Sequence, residues 1–268
     1  MQNVVITGGS RGIGAAAVWN IENETFVYEH NIDALLAPAS LVKLMTAVCA
    51  YEVLGDRMDE TLTVEYSMIA AASGNQVGYY VGETISIRDL FGGLLTRGAN
   101  DCAYLLAYAA DGGTDAFVAR MNAKAASLGM DATVYKNPTG MNAEGAATTA
   151  RDSIRIAAVF NAIPALTALS GSVQYEMPAT NKATARIIYN RNALVSRVSE
   201  IGYFDARITG LNAGSTVESG YYAASAVGSE TLHYVIVVLG AAEVDGKNLA
   251  YTYTSKLAGY ALSRFGYI

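Results

Sequence analysis

The sequence predicts an α/β protein in which an antiparallel sheet is flanked by helices, with a helical subdomain inserted between strands drawn from the two ends of the chain. Three observations predict it. Short β-prone runs lie at 16–21 and 25–29, three more lie at 208–211, 220–227 and 232–239, and the stretch between carries apolar residues mostly at helical spacing. Strands so far apart in sequence share one core when they meet in one sheet, with the intervening helices packed on it. At 268 residues, with 52% hydrophobic and 16% charged, the chain can bury a full core as one unit. That balance, with a net charge of −6, argues against disorder and against a nucleic-acid surface.

Glu22-Asn23-Glu24 separates the first two runs, which therefore read as a hairpin. Pro38 suits the first turn of a helix, where a missing N–H costs nothing, and residues 47–54 continue an apolar helical pattern. Segments 87–95, 101–110, 115–128 and 149–160 repeat that spacing, broken by Gly-Asn, Gly-Gly and Asn-Pro turn signals. The helical subdomain is placed at about 55–160. After the late strands, 247–265 closes the chain as an amphipathic helix. There is no internal repeat and no low-complexity linker.

Ser40 and Lys43 stand three residues apart at the start of the first helix, so their side chains share a face. A serine hydroxyl is a weak nucleophile until a base takes its proton, and a lysine serves as that base when burial leaves its amine neutral. Leu41, Val42, Leu44 and Met45 supply apolar surroundings. A Ser-His-Asp arrangement needs an imidazole, and the chain has only His30, after the predicted hairpin, and His233, in a strand-like run. Both read as structural, which leaves Lys43 as the base. Cys49 and Cys102 lie in apolar helical contexts without metal-ligand spacing and read as buried thiols rather than a disulfide.

Further landmarks come in order along the chain. They are Val81-Gly82-Glu83-Thr84-Ile85-Ser86-Ile87-Arg88-Asp89-Leu90, Asn100-Asp101, Asn137-Pro138-Thr139-Gly140-Met141, Thr148-Thr149-Ala150-Arg151-Asp152, and Gly210-Leu211-Asn212-Ala213-Gly214-Ser215-Thr216 with Ser219-Gly220-Tyr221 beyond. Together with Pro38-Ala39-Ser40-Leu41-Val42-Lys43-Leu44-Met45-Thr46 they resemble the serine D-Ala-D-Ala carboxypeptidases, low-molecular-mass penicillin-binding proteins of the β-lactamase/transpeptidase-like fold. The resemblance implies a transpeptidase-like catalytic domain over 17–268. It implies Ser40 as the acylated nucleophile, Lys43 as its general base, and Asn100 as the side chain that holds the substrate's peptide amide. Asn212, Gly214, Ser215 and Thr216 would complete the substrate site, and the N–H groups of Ser40 and Ser215 the oxyanion hole.

The same resemblance implies a peptidoglycan stem peptide ending in D-Ala-D-Ala as substrate and β-lactams as covalent ligands. It implies no metal, no organic cofactor and an extracytoplasmic location. The first apolar run, Val4-Val5-Ile6, is too short for the apolar region of a signal peptide. No run reaches the roughly eighteen apolar residues of a spanning helix.

Two motifs depart from the family pattern. Ser-x-Asn reads Gly98-Ala99-Asn100, and Lys-Thr-Gly reads Asn212-Ala213-Gly214. The hydroxyl that relays a proton and the two groups that bind the terminal carboxylate are thus replaced, so catalysis is expected to be impaired. The alternative is a weak or inactive binding module that keeps the fold. Arg207, the nearest cation in sequence, is an odd number of residues from Asn212 and is expected on the opposite face of a strand.

Val4-Val5-Ile6-Thr7-Gly8-Gly9-Ser10-Arg11-Gly12-Ile13-Gly14 also looks like the opening of a short-chain dehydrogenase, where a glycine-rich turn cradles a pyrophosphate at a helix start. Its context argues otherwise, because the next residues read as a hairpin and no tyrosine has a lysine four residues later. Residues 1–16 are therefore set apart as an atypical N-terminal segment.

Overall fold

The computed structural model describes residues 12–198, 202–228 and 232–264. The chain enters the sheet with β1 (Ala15–Asn20) and β2 (Thr25–His30), the hairpin read from the sequence. It leaves the sheet through α1 (Val42–Leu54), β3 (Thr61–Thr63), α2 (Tyr66–Ile69), β4 (Thr84–Ser86) and α3 (Ile87–Gly92). Next come α4 (Asn100–Asp111), α5 (Thr114–Ser127), α6 (Ala150–Asn161), α7 (Pro164–Ser170) and a small hairpin of β5 (Gln174–Met177) and β6 (Arg186–Tyr189). It returns as β7 (Ile208–Thr216), β8 (Gly220–Gly228) and β9 (His233–Ala241) and ends in α8 (Leu249–Arg264).

All neighbours in the main sheet are antiparallel, in the order β2-β1-β9-β8-β7. Strands from both ends of the chain thus share it, and β7 is an edge. Along β9, Val235, Val237 and Leu239 enter the core shared with α1 and α6, while Tyr234, Ile236 and Val238 enter the core under α8. Covering both faces explains why this strand reads as an unbroken apolar run. Helix α1 is buried at every residue from Val42 to Ala50, as a helix apolar on all sides must be. That position is what removes Lys43 from water.

Three local differences from the sequence reading have physical causes. The helix expected over 87–95 stops as α3 at Gly92, and Gly93–Arg97 forms a π turn that closes on Gly98 at φ 71°. Here the backbone packs tightly: a Cβ on Gly93 would lie 2.5 Å from the Cys102 Sγ, and one on Gly92 2.5 Å from the Tyr175 ring. Strand β7 runs past 211 to Thr216, because a bulge between Gly210 and Asn212 resets its alternation. The β5–β6 hairpin has no counterpart among the expected strands. The buried Glu83 carboxylate ties it down, accepting from Thr180 Oγ1 (2.8 Å) and pairing with Arg186 (3.2 Å).

Cys49 and Cys102 are free and buried, in agreement with their apolar sequence contexts. His233 pairs with Glu22 at 2.6 Å on the surface, and His30 lies next to the Asn31 side chain, so both imidazoles sit outside the cleft that holds Ser40. Most of the glycine-rich run, residues 1–11, lies outside the described residues. Gly14 donates to the Leu239 and Gly240 carbonyls and leads into strand β1 rather than into a helix.

Candidate active site

Ser40 lies in a short 3₁₀ turn, Ala39–Leu41, that feeds α1, rather than in the first α-helical turn itself. Ala39, just before it, holds φ at 47°. A non-glycine residue in the left-handed region costs about 1–3 kcal/mol and persists where packing enforces it. The enforcing element is Gly140, so close that a Cβ there would lie 1.9 Å from the Ala39 carbonyl oxygen and 2.8 Å from the Ser40 nitrogen. Gly140 itself sits at φ 78°. We expect Gly140→Ala to destabilise the fold by about 3 kcal/mol from overpacking and backbone strain, seen as a melting midpoint lowered by roughly 6–10 °C. An unchanged midpoint would contradict this close approach.

Behind Ser40, the Lys43 amine is 2.9 Å from Ser40 Oγ and donates to the Thr139 carbonyl at 2.6 Å. Lys43 is 1% exposed, and among the described residues no carboxylate pairs with it. Burial brings its pKa down from 10.5 to about 7. The Cys102 thiol is itself pushed well up by burial and stays neutral. Thr139 is presented by a turn organised around Asn137, whose Oδ1 accepts from Thr139 N–H, Thr139 Oγ1 and Gly140 N–H. Thr46 Oγ1 donates to the Pro138 carbonyl at 2.7 Å and docks that turn on α1.

Asn100 opens α4 opposite Ser40. Its Nδ2 donates to the Ser73 carbonyl at 2.6 Å, its N–H to the Asn75 carbonyl at 2.7 Å, and its buried Oδ1 has no partner. The Asp101 carboxylate accepts from the N–H groups of Val77 and Gly78 (3.1 and 2.8 Å), which anchors the strap carrying Ser73 and Asn75. Edge strand β7 forms the far wall. A cleft of about 460 Å³ brings together Ser40, Asn100, Asn212, Gly214, Ser215 and Thr216, with Lys43 directly behind Ser40. The Thr216 hydroxyl is taken up within the β7–β8 turn, 2.8 Å from Ser219 Oγ and accepting from Ser219 N–H.

The altered motif positions line the same cleft. Thr96 Oγ1, Asn100 Oδ1 and Asn212 Oδ1 are buried oxygens without partners around it. Arg207 stands outside the cleft, where its guanidinium bonds Asp205 (2.8 and 2.6 Å) and the Ser255 carbonyl on α8; with the bulge between it and Asn212, spacing along the strand does not decide its side.

Sequence reasoning missed several cleft residues, among them the Thr139 carbonyl, Thr96, Arg191 and Tyr222. Tyr222 pairs with Gly214 across β7 and β8, and its hydroxyl lies over Gly214, where a Cβ would come within 2.4 Å of it. Burial holds that phenol neutral, with its pKa far up. No spacing rule marks these groups, since each reaches the cleft through tertiary packing.

Comparison with known proteins agrees with this arrangement. The profile of the D-alanyl-D-alanine carboxypeptidase family matches residues 13–243. D-alanyl-D-alanine carboxypeptidase DacF of Bacillus subtilis is 28% identical over 252 residues, covering 91% of this chain and 61% of the relative. A D-alanyl-D-alanine endopeptidase of Pseudomonas aeruginosa is 36% identical over 155 residues, covering 57% of this chain and 49% of its own length. The chain thus spans between about half and three fifths of these relatives. Among solved structures, a D-alanyl-D-alanine carboxypeptidase from Mycobacterium tuberculosis superposes with a TM-score of 0.82 at 25% identity, covering 94% of this chain and 92% of that one. A variant of a Streptomyces DD-transpeptidase superposes equally well, at 0.82 and 21% identity over 94% and 98%, and supports the fold. With more than half its length matched by one profile and its motifs gathered in one cleft, the chain belongs to the D-alanyl-D-alanine carboxypeptidase family.

Proposed function

We propose that the chain is a serine-type D-alanyl-D-alanine carboxypeptidase that acts on peptidoglycan stem peptides through an acyl-serine intermediate, with its activity lowered by the changes at Gly98, Asn212 and Ala213. One observation carries the reading: a fully buried amine without a carboxylate partner stands 2.9 Å from the Ser40 hydroxyl. A neutral amine there accepts the Ser40 proton as Oγ bonds to the carbonyl carbon of the penultimate D-alanine. The charge that develops on the carbonyl oxygen falls to the N–H groups of Ser40 and Ser215. When the peptide C–N bond breaks, the proton held by Lys43 passes to the leaving amine. Water then hydrolyses the ester, and Asn100 Oδ1, without a partner at rest, would accept the substrate's peptide N–H. β-Lactams would acylate Ser40 by the same steps, with the lactam nitrogen as the leaving group. A substrate in the cell wall places the working site outside the cytoplasmic membrane.

The test is the pH dependence of acylation by a fluorescent penicillin, read by gel and by intact mass. Protonated Lys43 cannot accept a proton, so the rate should fall as pH drops through about 7 and level off above it. A rate that stays constant from about pH 5 to 9 would remove Lys43 as the base. The replaced motif residues favour a second reading, a binding module with this fold, and a complete absence of any mass adduct would select it.

A further inference from the structure

We propose that Arg191 anchors the terminal carboxylate of the substrate, in place of the lysine that this chain lacks at position 212. This rests on the carboxypeptidase reading of the site and names the cation which that reading is missing. Arg191 lines the cleft together with Thr96, Asn212 and Ala213, and it is exposed there. Its backbone is fixed on both sides. The buried Asn190 donates to the Ser170 and Ser172 carbonyls (2.8 and 2.7 Å) and accepts from the Asn192 N–H at 2.9 Å. Asn192, also buried, accepts from the Leu194 N–H at 3.1 Å and packs on β7, where a Cβ on Gly210 would lie 2.4 Å from its Nδ2. The Arg191 N–H itself donates to the Thr96 carbonyl at 3.2 Å. The residue thus stands in the gap between β7 and the turn that leads to Asn100, one exposed side chain between two buried ones.

The guanidinium is uncommitted. Arg151, Arg186 and Arg207 each hold a carboxylate, whereas no side chain among the described residues pairs with Arg191. Arg97, the other cation lining the cleft, donates its Nε–H to the Gln76 carbonyl at 2.7 Å. Asn212 is neutral, and the one acidic side chain lining the cleft among the described residues, Glu218, lies beyond Thr216 at the far end of β7. A free carboxylate is drawn to the Arg191 end and repelled from the other, which orients the peptide with its last residue beside Asn212 and its scissile carbonyl at Ser40. Arginine suits this task, because its planar fork of N–H groups matches both oxygens of a carboxylate. With the main chain already held, binding freezes only the side-chain rotamers of Arg191.

The experiment measures, by NMR titration, the affinity of an N-acylated peptide ending in D-Ala-D-Ala and of its C-terminal amide. The protein is Ser40→Ala, which binds without turnover, alone and combined with Arg191→Gln, Arg191→Lys or Arg97→Gln, with melting transitions alongside. Lys247→Gln is added because that lysine lines the neighbouring groove. Arg191→Gln should weaken the free acid about tenfold or more and leave the amide within about twofold, and Arg191→Lys should restore part of the loss. A purely structural role would weaken acid and amide alike, and that result overturns the anchor. So does a folded Arg191→Gln that still prefers the acid, or a loss of that preference that follows Arg97→Gln or Lys247→Gln instead. Labelling of the Ser40 protein with a fluorescent penicillin runs in parallel. A labelled protein whose acid preference survives Arg191→Gln loses the anchor alone, whereas an unlabelled one loses the acyl-transfer reading while the affinities still judge the anchor.

Discussion

Lys43→Met should abolish at least 99% of the acylation rate while leaving the melting midpoint at pH 7 unlowered. The two halves of this outcome come from one fact. The amine is the only base within reach of the Ser40 hydroxyl among the described residues, and general-base catalysis contributes about 10²- to 10⁴-fold. Methionine conserves the volume and apolar stem of the side chain but takes no proton. Stability moves independently of activity, because an amine with a folded pKa of about 7 and an unfolded value of 10.5 binds fewer protons in the folded state. Folding stability therefore rises with pH between about 7 and 10.5, and the cost of burying the amine, charged below about 7, is fully present there. Removing the amine lifts that cost, against which stands the loss of the hydrogen bond to the Thr139 carbonyl. Stopped-flow acylation and calorimetry read the two effects separately. A variant that both loses activity and melts far lower would mean that Lys43 holds the site together rather than serving it as a base. Ser40→Ala is the companion control, and it should take no adduct at all.

The second large effect is a gain. The combined variant Gly98→Ser, Asn212→Lys, Ala213→Thr should release D-alanine from a D-Ala-D-Ala peptide at least tenfold faster than the parent, and more than the single changes would predict together. A lysine at 212 would meet the terminal carboxylate when substrate binds, a charge-assisted contact worth about 1.5–3 kcal/mol. The threonine adds a donor, and the serine restores a hydroxyl between Lys43 and the leaving amine. Gly98 is the weak point of the set. It holds φ at 71°, so serine there is strained even though its Cβ would meet only ordinary contact, 3.6 Å from Asn75 Nδ2. The double variant Asn212→Lys, Ala213→Thr should accordingly melt higher than the triple one and recover much of the gain. If the triple variant folds yet releases no more D-alanine than the parent, the cleft has diverged beyond these three positions and the binding-module reading replaces the enzymatic one.

How much of this site could be read in one dimension depends on what each feature is made of. Ser40 and Lys43 are three residues apart near the start of one helix, and that contact is a property of helical geometry, legible in the string. The hairpin of β1 and β2, the late strands and the helices between them arise from periodicity and turn residues in the same way. So does the order of motifs that pointed to the family.

Other features belong to the tertiary structure because they join distant or mismatched registers. The Thr139 carbonyl reaches Lys43 across 96 residues, by way of a turn whose shape depends on Asn137. Burial of Lys43 requires the sheet, α4 and α6 to close around α1, and no run of neighbours in sequence could lower its pKa to about 7. The bulge at Gly210 decides which face of β7 carries Asn212, and the pairing of Gly214 with Tyr222 lays a buried phenol along the cleft. Spacing along one helix is local and survives in the sequence, whereas desolvation and cross-strand register arise from packing between segments that only the folded chain brings together.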